Sequence, residues 1–507
     1  MENYKILIAE DDDSMGRLIS YKLKSAGYDI KVVKEGKKVK ISEKAFDKVE
    51  KSRKYVLNNL NTDKPVYGMN RGVGENKDQV VFSEYYEKYN RNLIYAHCVA
   101  VKPEADIQEV RAALLGRLNT LLLGRTGIQP AIVEMYRDFL NYGIHPVIPQ
   151  RGSVGEGDIA CLSHIGLAML GEGEVYFKGE RIKAQKALDK TDLKPVNLGP
   201  KDGLAIVSSN ALSAGKAALI VDKVEELVKK ADLVYSLSLE GIKGNVSPLD
   251  KRVKKFRPYS GQKESIDRVT DYLEGSFIWQ KGIAEHLQDP VSFRSACHIH
   301  GAVLDSLNYA KEQLKVQLNS SDDNPCVLYE DDDIVSTGNF EPLSWVLGFE
   351  MVANGLSHLS RISTSRTKHL SNPETTGLNR FLTPKMGDTI AFGTIQKPFS
   401  ALDAEIRDLA NPSSVDYNEL AGDIEDHGTN APYIMQKLEK IIDNIYYILG
   451  IEIMHSTQAV ELRGVKEAIS DKTCDLFKSF RKEVTFLDKD RPLSPDIEKA
   501  KKVIENY

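Results

Sequence analysis

The stretch MQKLEKIIDNIYYILGIEIMHSTQAVEL, residues 435–462, places apolar residues at three- and four-residue spacing over its whole length. Two further stretches, residues 109–127 and 341–363, show the same spacing. At ~1.5 Å per residue, helices of this length form rods of roughly 30 to 40 Å. The sequence therefore predicts a mainly α fold, an elongated helical bundle whose apolar faces we expect to pack against sister subunits.

The N-terminal residues have a different pattern. Between residues 4 and 33, an apolar strand, an acidic turn with Asp11 and Asp12, a helix and a second strand follow one another. This order resembles the opening β-α-β unit of a response-regulator receiver domain, but a third strand with a phosphoacceptor aspartate does not follow. We predict a receiver-like fragment without a signalling function over residues 1–35, and a helical domain over residues 36–507.

Composition and charge exclude several classes of protein. The chain has 507 residues, 41% of them hydrophobic, and a formal net charge of -5, which argues against a general nucleic-acid surface. We see no signal peptide and no continuous apolar run of the ~18 residues that span a bilayer. The five cysteines include no CxxC pair, which favours a reducing compartment and argues against a zinc site. We expect a cytoplasmic protein without metal, membrane or nucleic-acid partner.

Eight short motifs, most of them rich in glycine or polar residues, follow one another between residues 67 and 427. In chain order they are YGMNRGVG (67–74), GSVGEGD (152–158), LSHIGLAMLGEGEV (162–175), DGLAIV (202–207), QDPVSFR (288–294), NSSDDNP (319–325), GNFEP (338–342) and EDH (425–427). Together they resemble the ordered landmarks of the histidine and phenylalanine ammonia-lyase family. The resemblance implies a fumarase-like helical bundle, a small-molecule substrate, and a homotetramer whose active sites combine loops from three subunits.

The resemblance implies roles for two residues in particular. Tyr67 matches the tyrosine that removes the β-proton of the amino acid, and the glycines around it predict a flexible loop tip that closes over substrate. A phenol needs a lowered pKa to act as a base at neutral pH, and Arg71 is the neighbouring cation that we expect to lower it. Arg294 matches the arginine that holds the substrate carboxylate, for which a guanidinium fork is suited.

Four further polar residues are substrate-binding candidates through the same resemblance. Asn324 and Asn339 match active-site or loop-setting residues of the family, although turn formation explains asparagines there nearly as well. Glu425 matches a glutamate that faces the substrate amine or ring, and a cationic ligand would compensate its burial. Lys385 is a candidate for contact with the carboxylate or the ring, although loop lysines are commonly exposed to solvent.

The sequence departs from the family where the electrophile should be. The family has Ala-Ser-Gly before the aspartate, and these residues cyclise and lose water to form a methylidene-imidazolone. Here only Glu156 and Gly157 stand between GSVG and Asp158, and glutamate has no β-hydroxyl to eliminate. Val291 replaces a second catalytic tyrosine, and Ser208 replaces an expected asparagine. The losses therefore concern the electrophile, while the base and the carboxylate clamp remain.

This combination indicates a particular class of substrate. A primary ammonium loses its N–H protons more readily than its β C–H proton, and the electrophile solves this by binding the nitrogen covalently. A quaternary nitrogen has no proton to lose and departs as a neutral tertiary amine. The chemistry therefore predicts β-elimination of trimethylamine from an α-trimethylammonium acid. The resemblance, to a family member that lacks the electrophile, implies that this acid is ergothioneine, the betaine of an aromatic amino acid, that the product is thiourocanate and that no cofactor is needed. Val291 would give the three methyl groups room, and Glu156 would favour the cation.

Three other interpretations stay open. The chain could be a lyase of the same fold that acts on histidine or hercynine, because the sequence does not identify the ring. It could be a catalytically silent homologue that binds a ligand or serves as a scaffold, although the presence of Tyr67 and Arg294 argues against this. A phosphorelay-linked protein built on the N-terminal fragment is the third interpretation.

Overall fold

The chain folds into two compact units. The computed structural model describes residues 7–9, 31–33, 38–60, 64–422 and 424–507. The first unit comprises Met1–Val221, Ala310–Leu347 and Pro412–Gln436, and the second comprises Asp222–Tyr309, Gly348–Asn411 and Lys437–Tyr507. Both are mainly helical, as the apolar spacing predicts.

The α-helices divide between the units as follows. The first unit contains Glu43–Asn58, Tyr86–His97, Ile107–Leu121, Pro130–Tyr142, Ile159–Met169, Ala184–Lys190 and Asp202–Val207. The second contains Ser260–Tyr272, Val291–Arg294, Pro373–Thr376, Gln396–Leu409, Asp471–Glu483 and Ser494–Asn506. Four long helices contribute residues to both: Ala211–Gly241, Ala296–Leu318, Leu343–Leu370 and Ala431–Leu462.

The three helices that the apolar spacing predicts are all present, with shifted ends. The helix predicted over 109–127 ends at Leu121, because the chain turns at Gly124, which has a φ of +69°. A Cβ at Gly124 would lie 2.7 Å from the carbonyl oxygen of Lys48, so only glycine allows this close approach.

The helix predicted over 341–363 continues to Leu370, although its last turns are not apolar. Arg366 is fully buried there and forms a bidentate ion pair with Glu452, at 2.6 and 2.9 Å. A buried guanidinium that is paired in this way substitutes for an apolar side chain, so the hydrophobic pattern stops before the helix does.

Short strands complete the first unit. Val101–Glu104 pairs with Pro149–Arg151, and Cys326–Leu328 pairs with Asp333–Val335, both antiparallel. A three-stranded antiparallel sheet places Glu174–Phe177 between Ile144–Pro146 and Glu180–Lys183. Several residues of these strands are buried in the core, among them Ile144, Val175, Phe177 and Val327.

The receiver-like fragment lies mostly outside the described residues. Leu7–Ala9 and Lys31–Val33 are strands paired in parallel, with Leu7 opposite Lys31. The predicted acidic turn and helix, and the domain boundary after residue 35, fall on residues that the structure does not describe. The receiver-like fragment and that boundary stay predictions.

One described segment is long and apolar enough to cross a membrane by its length and composition, although it is not a continuous apolar run. Residues 202–241 contain an 18-residue window with a mean hydropathy of 1.5, and the whole window is buried inside the protein. Core helices of globular proteins have the same composition, because they are covered on all sides. The segment is therefore weak support for a membrane location.

Candidate functional site

The loop that replaces the family's electrophile is anchored by Asp158. This carboxylate is fully buried and accepts hydrogen bonds from the Ser213 N–H (2.7 Å), the Ser213 hydroxyl (2.6 Å) and the Ser153 hydroxyl (2.9 Å). Burial raises the pKa of Asp158, and these hydrogen bonds act in the opposite direction. The bond from Ser153 closes the loop onto Asp158, and the bonds from Ser213 fix Asp158 to a long helix, so Glu156 lies in an anchored loop.

Asn210 joins this loop to a second one. Its side-chain oxygen accepts the N–H of Gly157 (3.0 Å), and its side-chain nitrogen donates to the carbonyl of Phe340. Asp322 holds Asn210 in turn by accepting its backbone N–H at 3.1 Å. The buried Asn210 thereby sets the positions of Glu156 and Glu341 relative to one another. Sequence reasoning missed it, because an asparagine directly before a helix is readily explained as a cap.

Two carboxyl groups and a histidine form a cluster. We call Glu156 and Glu341 the acid pair, and His427 lies beside them. The His427 Nδ1 lies 3.0 Å from the Glu341 Oε2 and 3.6 Å from the Glu156 Oε1. One donor atom from each residue lies within 4.8 Å of the other two, a separation that suits a bound cation. Of these three residues, the sequence analysis identifies only Glu156 as a candidate. Glu341 and His427 lie in the GNFEP and EDH motifs, and the resemblance of these motifs to the family is the signal that could have pointed to them.

The acid pair holds a proton at neutral pH. The Glu156 side chain is 13% exposed, and burial raises its pKa to about 9, with the charge of Glu341 and a hydrogen bond to it acting in the same direction. The Glu156 Oε1 is buried and accepts no hydrogen bond. Two carboxyl groups this close favour the state in which one of them is neutral.

Tyr67 lies in a packed turn of this chain, and closure of this segment over substrate stays a prediction. The phenol is half-buried, and its oxygen accepts the N–H of Gly74 at 2.9 Å. Gly68, at a φ of +65°, lies so close to Leu204 that a Cβ would be 2.2 Å from its side chain. Met69 is buried beneath the turn. The backbone of this segment is therefore anchored where the phenol is presented.

The expected lowering of the Tyr67 pKa by Arg71 is not found in this chain. Burial raises the pKa of Tyr67; the hydrogen bond from Gly74 opposes this, and the Glu425 carboxylate raises the pKa further. The Arg71 guanidinium instead donates to the carbonyl of Asn70 at 3.0 Å. Within the described chain the phenol therefore holds its proton more tightly than free tyrosine does.

Glu425 is exposed, although the resemblance implied a carboxylate at depth. It lies beside Tyr67, and the Tyr417 hydroxyl donates to its backbone carbonyl at 3.1 Å. The pKa of Tyr417 is raised by burial, then by the charges of Glu425, Glu156 and Asp426. Tyr417 is therefore near both Glu425, which acts on the proposed base, and Glu156 of the acid pair.

The other candidates in the first unit have structural partners. Ser208 is buried directly after the helix Asp202–Val207, and its N–H donates to the carbonyl of Leu204. The Asn324 side chain accepts the N–H of Thr337 at 2.9 Å. Asn339 is exposed, and its backbone N–H donates to the Thr337 hydroxyl. These contacts agree with the loop-setting interpretation of the asparagines.

Arg294, Val291 and Lys385 lie in the second unit, and all three are exposed. Val291 and Arg294 are the first and last residues of one short helix; Val291 is 57% exposed, and the Arg294 guanidinium donates to the Gln288 side chain at 2.8 Å. The Lys385 side chain is 75% exposed and lies 3.1 Å from Asp388. Each side chain is therefore accessible from solvent in the single chain.

The prosthetic group of the family does not fit the loop at Glu156. The matching stretch, Gly155-Glu156-Gly157, has no serine hydroxyl to eliminate. The two glycine N–H groups are also engaged in the open chain, that of Gly155 by the Ser153 hydroxyl (3.1 Å) and that of Gly157 by Asn210 (3.0 Å). We therefore expect this chain to act through its side chains, without the methylidene-imidazolone.

Glu156→Gln is expected to raise the melting temperature at alkaline pH. Burial and the neighbouring Glu341 raise the pKa of Glu156 from its ordinary value of 4.5 to about 9, so between these values the folded state binds a proton that the unfolded chain has lost. Stability therefore falls as the pH rises between these values, and glutamine removes the effect. Calorimetry should show the variant melting roughly 1 to 3 °C above wild type at pH 8 and together with it at pH 5. A pH-independent difference would contradict the assignment.

Comparison with known proteins places this chain in a family. Residues 29–482 match the aromatic amino acid lyase family. The histidine ammonia-lyases of Alkaliphilus metalliredigens and Treponema denticola are 32% and 34% identical over 479 residues, 94% of this chain and of each relative.

Solved structures have the same fold. Ergothionase from Treponema denticola, in complex with desmethyl-ergothioneine sulfonic acid, is 43% identical, with 99% of both chains covered and a TM-score of 0.92. Histidine ammonia-lyase from Trypanosoma cruzi is 25% identical, with 99% of this chain and 94% of the other covered and a TM-score of 0.84. The chain therefore belongs to the aromatic amino acid lyase family, whose ammonia-lyase members are carbon–nitrogen lyases.

Proposed function

We propose that this chain is an ergothionase-like lyase that eliminates trimethylamine from ergothioneine to give thiourocanate. The observation that carries the proposal is the carboxyl of Glu156, which stands in the loop where the family forms its electrophile and is held there by Asp158 and Asn210. In its carboxylate form this group attracts cations, so it suits a substrate whose nitrogen carries a permanent positive charge that can displace the carboxyl proton.

The reaction needs one base and no covalent intermediate. The Tyr67 phenolate takes the β-proton, the electrons of the C–H bond form the new double bond, and trimethylamine leaves with the electrons of the C–N bond. The thioimidazole ring delocalises the charge that develops on the β-carbon. The Gly74 N–H, 2.9 Å from the phenol oxygen, stabilises the phenolate form.

Substrate positioning is proposed for the exposed residues of both units. The Arg294 guanidinium would hold the carboxylate, and Glu425 with Lys385 would contact the ring N–H and sulfur. Val291 would leave room for the methyl groups. In the homotetramer that we propose, these side chains would come from neighbouring subunits, which accounts for their exposure in one chain. A cytoplasmic location is part of the same proposal.

The names of the sequence relatives favour histidine as the competing substrate. Deamination of histidine requires activation of a primary amine, for which this loop offers no electrophile. A lyase acting on hercynine, the betaine without sulfur, would use the same residues as the ergothioneine reaction. Comparison of the three substrates therefore separates the proposals.

The test is incubation of the purified protein with ergothioneine, hercynine or histidine. Thiourocanate is followed by absorbance and trimethylamine by gas chromatography. We expect equimolar formation of both products from ergothioneine and no ammonia from histidine. Release of ammonia from histidine without trimethylamine from ergothioneine would overturn the proposal, and inactivity towards all three would support a silent, ligand-binding homologue.

A further inference from the structure

We infer that Glu156 and Glu341 together form the binding site for the quaternary ammonium group of the substrate, and that His427 orients Glu341. The inference rests on the proposed function and extends it to residues that determine substrate specificity. It assigns to Glu341 of GNFEP and His427 of EDH, which have no part in the proposed function, a common task at the leaving group.

The geometry gives each carboxyl a fixed position. The Glu341 Oε1 accepts the N–H of Leu343 at 2.7 Å, at the N-terminus of the helix Leu343–Leu370, where a negative charge is favoured. Its Oε2 faces the His427 Nδ1 at 3.0 Å. Glu156 is held from the other side by the loop that Asn210 and Asp158 anchor.

The chemistry of the acceptor atoms suits a cation without N–H groups. The buried Glu156 Oε1 accepts no hydrogen bond, and a trimethylammonium group can approach such an oxygen through its polarised methyl groups. A primary ammonium would require directed acceptors for each N–H. Tyr417, whose hydroxyl is held by the Glu425 carbonyl, adds an aromatic side chain near Glu156, a second feature that favours quaternary ammonium.

The charges around the acid pair favour a bound cation. The titratable groups that face it are His427 and the phenol of Tyr417, and beyond Tyr417 lie the carboxylates of Glu425 and Asp426. Within the part of the chain that the structure describes, His427 is the only basic side chain in an ion pair with Glu156 or Glu341. In the free protein a proton offsets part of this negative charge, and bound trimethylammonium would displace that proton.

The inference is tested by the binding of tetramethylammonium chloride and thiourocanate to wild type, Glu156→Gln and Glu341→Gln. Calorimetry in two buffers of different ionisation enthalpy measures both affinity and proton release. We expect each variant to weaken tetramethylammonium binding and raise the KM for ergothioneine by about 30-fold. Thiourocanate, which lacks the cation, should bind the variants within about threefold of wild type. Wild type should release protons on binding tetramethylammonium, and the variants should not.

The controls separate this inference from the proposed function. Glu180→Gln, at an exposed carboxyl on a strand of the first unit, should match wild type in every measurement. If wild type converts ergothioneine but the variants bind tetramethylammonium as tightly as it does, the inference fails and the function stands. Activity that a chelator removes and a divalent metal restores would make the cluster a metal centre and also overturn the inference. Without ergothioneine turnover by wild type the function fails, and tetramethylammonium binding still tests the acid pair.

Discussion

Tyr67→Phe is expected to lower kcat for trimethylamine release by about 1,000-fold, with a KM within a few-fold of wild type. The phenol accepts a proton only in the transition state, so its loss removes an interaction that ground-state binding does not use. The packed turn around Tyr67 does not depend on the hydroxyl apart from the Gly74 hydrogen bond. Steady-state kinetics with ergothioneine measure both constants, and Tyr259→Phe, at a solvent-exposed phenol, is the matched control.

The pH dependence of the same reaction provides a second readout. Because burial and the Glu425 charge raise the pKa of Tyr67, only a small fraction of the phenol is ionised at neutral pH. We therefore expect kcat, which reports ionisation in the enzyme–substrate complex, to rise with pH through the neutral and alkaline range in wild type, and this rise to be absent in the phenylalanine variant. An unchanged kcat in Tyr67→Phe would remove Tyr67 from the mechanism.

Arg117→Met is expected to lower the free energy of unfolding by about 3 to 5 kcal/mol. Arg117 is fully buried and contacts Asp322 at 3.1 Å and Asp323 at 3.3 Å, while Lys201 contacts Asp323 from the other side. Two cations and two anions balance one another in this cluster. Removal of the guanidinium leaves a buried carboxylate without compensation, and such a charge is costly in a dry interior.

The same substitution should disturb the site, because Asp322 also holds Ser209 and the backbone of Asn210. We expect Arg117→Met to reduce ergothioneine turnover even at temperatures where the variant is folded. Urea denaturation followed by circular dichroism measures the loss of stability. Arg252→Met, at a side chain that is 85% exposed, should change stability by less than about 1 kcal/mol. Similar losses of unfolding free energy in the two variants would show that the buried ion cluster does not contribute more to stability than an exposed arginine does.

Parts of the fold and of the site can be predicted from residue types and their order. The apolar spacing over 435–462 predicted a helix that the structure confirms as Ala431–Leu462. The absence of a serine between Gly155 and Gly157 excluded the prosthetic group without any coordinates. The effect of Arg71 on Tyr67 could not be predicted, since adjacency in the chain does not decide where a long side chain points.

The sequence by itself determined the mainly helical fold, the family resemblance and the loss of the electrophile, because these depend on periodicity, motif order and the presence of a hydroxyl. Only the tertiary structure brought Glu156, Glu341 and His427 together and placed Glu425 beside Tyr67. The physical reason is that pKa and charge balance depend on distance and burial. Residues 185 positions apart in the chain, such as Glu156 and Glu341, acquire a shared proton only when folding brings their carboxyls into contact.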